Sequence, residues 1–107
     1  MLNEGSCARR LRLEAPLTVR GVSANRDALL AGFSECSAIE LEFSADEADC
    51  AGVQLIEATR RYAQISGKQL KLASPASGAL KRALEGGGFL AAANTEDRQF
   101  WLHEGAA

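Results

Sequence analysis

Ala48-Asp49-Cys50-Ala51-Gly52-Val53-Gln54-Leu55-Ile56 is the stretch on which the reading of this chain turns. Just before it, Ile39, Leu41 and Phe43 alternate with Glu40 and Glu42, the pattern of a strand with one apolar face. Asp49 has a side chain suited to a helix N-cap. An apolar stripe of helical period follows, through Leu55, Ile56, Thr59, Tyr62 and Ala63. Strand, loop and helix start therefore follow one another, and Cys50 falls in the first turn of the helix. The unpaired N–H groups and the dipole of a helix start make that a place where negative charge is stabilised.

Upstream, Leu11 and Leu13 alternate with Arg10, Arg12 and Glu14, which predicts a strand with one buried face. Glu14-Ala15-Pro16 interrupts it. Leu17, Val19 and Val22 then predict a second short strand, with Gly21 as a bulge or close approach. Ser23 or Asn25 caps a helix over 25–36, whose apolar face is Leu29, Leu30, Phe33 and Cys36. Cys36 on that face reads as a small core side chain. Ser44 to Ala48 form an acidic loop before the Asp49 cap.

Downstream, Glu57 and Arg61 are spaced for an i,i+4 ion pair, and Ser66-Gly67 ends the helix with Gly67 in the left-handed conformation. Leu70 and Leu72 mark a further strand. Ser74-Pro75 predicts a helix start, serine as cap and proline in the first helical position. Leu80, Ala83 and Leu84 are its buried stripe, and Gly86-Gly87-Gly88 stops it. Phe89-Leu90 returns to the core, 91–98 is a polar loop, and Phe100-Trp101-Leu102 predicts a short edge strand. Strands alternating with helices predict an α/β single domain, with a mixed, mostly parallel sheet of about five strands and about three helices. The domain is expected over 10–104, with flexible ends at 1–9 and 105–107.

At 107 residues the chain has the length of one domain. Twelve basic and fourteen acidic residues give a net charge of -2, which offers no default attraction to nucleic acid or an anionic membrane. No apolar run approaches the roughly 18 residues of a membrane helix. The first residues have no basic stretch followed by an apolar one, so a secretory signal is not expected and a cytoplasmic location is. The three cysteines, Cys7, Cys36 and Cys50, are odd in number and unpatterned. With His103 the sole histidine, neither a disulfide framework nor a zinc site is expected.

The segment from Ile39 to Leu90 resembles the STAS family (sulfate transporter and anti-sigma factor antagonist). The resemblance rests on the Asp49-Cys50-Ala51-Gly52 helix start, the Gly67-Lys68 turn, the Leu70 and Leu72 strand, the Ser74-Pro75 helix start and Gly88-Phe89-Leu90. It covers about residues 10–90 and implies a STAS-like fold. It also implies a non-enzymatic adaptor in bacterial signal transduction, whose partner is a protein: a kinase, an anti-sigma factor or a chemotaxis component. A cytosolic accessory subunit of a lipid-type ATP-binding-cassette transporter and a classical anti-sigma factor antagonist are the alternatives. In the family a serine or threonine after the Asp is often phosphorylated. A phosphate there adds about −1.5 to −2 charge at a helix start that tolerates it. Here Cys50 holds that position, and Asp46 and Glu47 precede it, so the phospho-switch is not expected to operate. Ser44 is a possible substitute.

The expected partner surface is Ser44, Asp46, Glu47, Asp49, Cys50, Gln54, Glu57 and Arg61. Asp49→Lys is expected to abolish partner binding without changing the far-ultraviolet circular dichroism. A helix start favours a thiolate at Cys50, while the loop acids oppose it; Cys50 therefore reads as a contact residue more than a redox sensor. No nucleophile–base pair can be placed from the sequence, and the triple glycine follows a helix where a phosphate loop would open one. No catalytic residue, metal or cofactor is expected. The apolar edge at Phe100-Trp101-Leu102 could support a homodimer.

Overall fold

The computed structural model describes residues 8–43 and 46–104. In chain order these form β1 (Ala8–Leu13), α1 (Val22–Glu35), β2 (Ala38–Phe43), α2 (Cys50–Ile65), β3 (Gln69–Leu72), α3 (Gly78–Gly86) and α4 (Thr95–Leu102). The strands lie in the order β1-β2-β3 and are parallel, with Leu11 beside Leu41 and Leu41 beside Leu72. Parallel neighbours need a crossover, and α1 and α2 supply the two.

Strand alternation decides what each face does. Leu11, Leu13, Ile39, Leu41, Leu70 and Leu72 face the helices. Leu13, Leu41 and Leu72 join Leu29, Val53, Ile56, Leu80, Leu84 and Trp101 in the main core, and Ile39 packs with Phe33 and Ala63 in a second cluster. Arg10, Arg12, Glu40, Glu42 and Lys71 alternate onto the opposite face. There the Arg10 guanidinium donates to Glu40 at 3.0 Å and to Glu42 at 2.8 Å. The expectation that the glutamates occupy an incompletely covered face holds, and paired charge is what lets that face remain open.

The α/β single domain is as expected, but the element count is not. Among the described residues there are three strands, all parallel, and four helices. Residues 17–22 are not a strand. Leu17 makes one isolated bridge to Ala48, Gly21 N–H closes a turn on Thr18, and α1 already begins at Val22. Asn25 does not cap α1. It is buried inside the first turns, and its amide donates to the carbonyls of Ala15 and Pro16. α3 starts after Ser77, three residues beyond Ser74. β1 begins at Ala8, while residues 1–7 and 105–107 lie outside the described residues. Cys36 is buried, as expected, but it also takes part in a disulfide, with its partner outside the described residues. No helix among the described residues is long and apolar enough to cross a membrane.

The largest correction is α4. Phe100-Trp101-Leu102 is helical, so the edge strand expected there does not form and the argument for a homodimer through it loses its basis. A capping box starts this helix: Asn94 accepts from Asp97 N–H at 2.8 Å and Asp97 accepts from Asn94 N–H at 3.1 Å. Trp101 is buried and its Nε1–H donates to Glu57 at 3.3 Å. Arg60 joins the two helices, donating to Asp97 at 2.8 Å and lying 4.7 Å from the centre of the Phe100 ring.

Asp97 gives this junction a pH dependence. The Asn94 N–H, and then Arg60, hold its carboxyl below the ordinary 3.8, against the opposing effect of partial burial. A lowered folded pKa contributes stability above 3.8 that is lost as pH falls through the folded value. Asp97→Asn is therefore expected to lower the urea midpoint at neutral pH, with the gap to wild type closing in acid. A gap unchanged by acid would show that the carboxylate charge does not hold α4.

Candidate functional site

The loop between β2 and α2 lies at the carboxyl edge of the sheet, where α/β folds place their functional loops. It is locked to the segment that follows β1. Leu17, which is buried, donates its N–H to Glu47 O at 3.3 Å, and its carbonyl accepts the Asp49 N–H at 3.0 Å. Asp49 caps α2 as its side chain predicts: one oxygen accepts the N–H groups of Ala51 at 2.9 Å and Gly52 at 3.2 Å. Its other oxygen accepts from Val19 N–H at 3.3 Å. Both carboxylate oxygens are thus occupied by backbone of the same chain.

Gly52 is required by the same crossing. A Cβ added there would lie 2.0 Å from the Leu17 carbonyl oxygen and 2.6 Å from its carbon. The glycine is a contact point for backbone, and Ala51 beside it is half-buried. Cys50, by contrast, is exposed and is the free cysteine among the described residues.

Cys50 opens into a shallow groove of about 760 Å³. One wall is Thr18, Val19 and Arg20, another is Asp46 to Asp49, and the third is Arg82 with Gly86 and Gly87 at the end of α3. Val19 stands 70% exposed at its rim. The expected site residues Asp46, Glu47, Asp49 and Cys50 are therefore brought together. Gln54 is exposed one helical turn further along α2. Glu57 is diverted: it accepts from Trp101 and lies 3.5 Å from Arg60, so the ion pair forms at i,i+3 and not with Arg61. Arg61 is exposed and about three turns from the Cys50 end. Ser44 lies outside the described residues. Arg20, Arg82 and Val19 are groove residues that the sequence did not reveal. Val19 sits in an alternating run that suggested a strand, and nothing local marks the two arginines.

The chemistry available in this groove is mixed charge around a small thiol. Among the described residues no three His, Cys, Asp or Glu side chains converge as a metal site. Comparison with family models, curated proteins and solved structures returns no match to the chain.

Because Asp49 and Gly52 are held by backbone, substitutions there test the fold and not only the surface. Asp49→Ala is expected to cost about 1–2 kcal/mol, the usual range for a lost N-cap. Gly52→Ala is expected to cost at least about 1–3 kcal/mol, since the Leu17 backbone must move. Asp49→Lys would also lose the cap, so the expectation that it leaves the fold unperturbed does not stand on this geometry. Urea denaturation of the three variants checks the order. A wild-type midpoint for Gly52→Ala would show that the crossing is loose.

Proposed function

We propose that the chain is a non-enzymatic, cytoplasmic adaptor of the STAS type. It docks a partner protein on the groove around Cys50 and on the first turns of α2. The observation that carries this reading is the division of labour in Asp49-Cys50-Ala51-Gly52. Asp49 and Gly52 are consumed in fixing the loop to Leu17–Val19, while Cys50 and Gln54 are presented outward from a rigid base. A preorganised convex helix start beside a shallow groove suits a protein surface, because little ordering entropy remains to be lost on binding.

The partner class follows from the resemblance: a kinase, an anti-sigma factor or a component of a chemotaxis or two-component system. Cys50 cannot accept phosphate as a serine or threonine would, so docking is governed by competition between partners and not by a phosphate on this position. The presence of Asp46 and Glu47 with Arg20 and Arg82 around one groove favours a partner surface of mixed charge. Rim charges of this kind set the rate and salt dependence of association.

Cys50 is the residue at which this can be tested without disturbing the cap. Alkylation with a bulky maleimide, confirmed by mass spectrometry as confined to Cys50, is expected to leave the circular dichroism spectrum intact. It is expected to lower affinity for a partner captured from the native organism by tenfold or more, about 1.4 kcal/mol. Equal capture by blocked and unblocked protein would overturn the proposed surface.

A further inference from the structure

A second surface lies on the opposite flank of the molecule. β3 pairs with β2 along one side only. Gln69 N–H donates to Ser37 O at 2.8 Å and Ala73 N–H donates to Leu41 O at 2.9 Å. The two-residue repeat of a parallel ladder therefore turns the backbone groups of Gln69, Lys71 and Ala73 towards β2, and those of Leu70 and Leu72 outward. The end of α4 covers only the far part of this outer edge, where His103 Nε2 lies 3.1 Å from the Leu72 carbonyl oxygen. The outward N–H and C=O of Leu70 have no partner strand among the described residues.

Two cavities, of about 590 and 630 Å³, meet at that edge and share Glu40, Arg60, Gln64, Leu70 and Lys71; the first continues across the sheet to Arg9 and Arg10 of β1, the second to Glu96 and Phe100 of α4. Charge distinguishes what can fill them. Glu40 is engaged by Arg10, and Arg60 by Asp97. Lys68 donates to the Phe33 carbonyl at 2.7 Å in the last turn of α1, a bond that involves no carboxylate. Neither Lys68 nor Lys71 has a carboxylate within ion-pair distance among the described residues. Glu96 adds one acid at the α4 end. Lys68 and Lys71, the latter in register beside Glu40, are thus the two cations at this edge that no ion pair holds among the described residues.

Lys71 on the edge strand, with Lys68 just before it, opposes pairing with a second copy of the same edge, since like charges would meet. The two lysines attract an acidic strand. We propose that the outer edge of β3 is a docking edge for an extended acidic segment of a partner protein, which adds as a fourth strand. Main-chain hydrogen bonds to Leu70 supply the pairing, and Lys68 and Lys71 select the charge. This goes beyond the Cys50 groove and does not depend on it.

The test uses the full chain and a fluorescent peptide of about eight residues, a typical strand length, in which valine and glutamate alternate. Saturable binding by anisotropy is expected, with the Leu70 amide protected from hydrogen exchange in the complex. Lys71→Glu is expected to weaken binding about tenfold, and an alternating valine–lysine peptide to bind that variant better than it binds wild type. Blocking Cys50 is expected to change nothing, which separates this surface from the groove. Absence of binding, equal affinity for the valine–lysine peptide on wild type, or equal affinity for a valine–glutamate peptide N-methylated on alternate amides would overturn the proposal. So would a protein dimer that protects the Leu70 amide without peptide.

Discussion

The passage of the Leu17 backbone across the first turn of α2 is the contact on which the rest of the molecule depends. It brings the segment after β1 against the helix after β2, and so closes the carboxyl edge of the sheet. The contact is possible because residue 52 has no side chain: a Cβ would stand 2.0 Å from the Leu17 oxygen. Asp49 then ties the crossing from the helix side, and Asn25, buried in α1, ties it from the other by donating to the Ala15 and Pro16 carbonyls. A segment with almost no ladder hydrogen bonds is thereby held from two flanks through its own polar backbone. The outward position of Cys50 is a by-product of that arrangement.

The parts of the fold that could be read from the chain are those where one physical signal acts alone. β2 shows clean alternation, and α2 has a cap, an apolar stripe and a left-handed Gly67 at its end, with φ 71°. Where signals compete, the local pattern misleads. Leu17-Thr18-Val19 alternates like a strand, but Leu17 is buried by the crossing while Val19 is left in solvent. Ser74-Pro75 has the chemistry of a helix start, yet the helix begins only after Ser77, and Ala76 N–H donates to the Trp101 carbonyl at 2.7 Å. That bond joins residues 25 apart, and no local pattern announces it.

Phe100-Trp101-Leu102 illustrates the opposite case, since a usable signal was present. Asn94 and Asp97 stand three residues apart with Glu96 between them, the composition of a capping box and an acidic first turn. Three adjacent apolar side chains outweighed it in favour of a strand. In the structure Phe100 and Trp101 are both buried, meeting edge to face with their ring centres 5.1 Å apart. The site was legible to the same extent as the fold. The loop acids and Cys50 could be placed from one junction, whereas Arg20 and Arg82 reach the groove through tertiary packing, and Glu57 was drawn away by Trp101.

The strand order β1-β2-β3 also has a bearing on how the chain is made. Each strand pairs with the one synthesised immediately before it, Ala8 with Ala38 and Ala38 with Gln69, so the sheet can be assembled in the direction of translation as each helical crossover is completed. Trp101 breaks this economy. Among the described residues it is the last large core side chain in chain order, and the cluster of Leu72, Leu80 and Leu84 waits for it. A nascent chain halted before α4 would hold a finished sheet and an unfinished core, which is the kind of exposed apolar surface that chaperones engage.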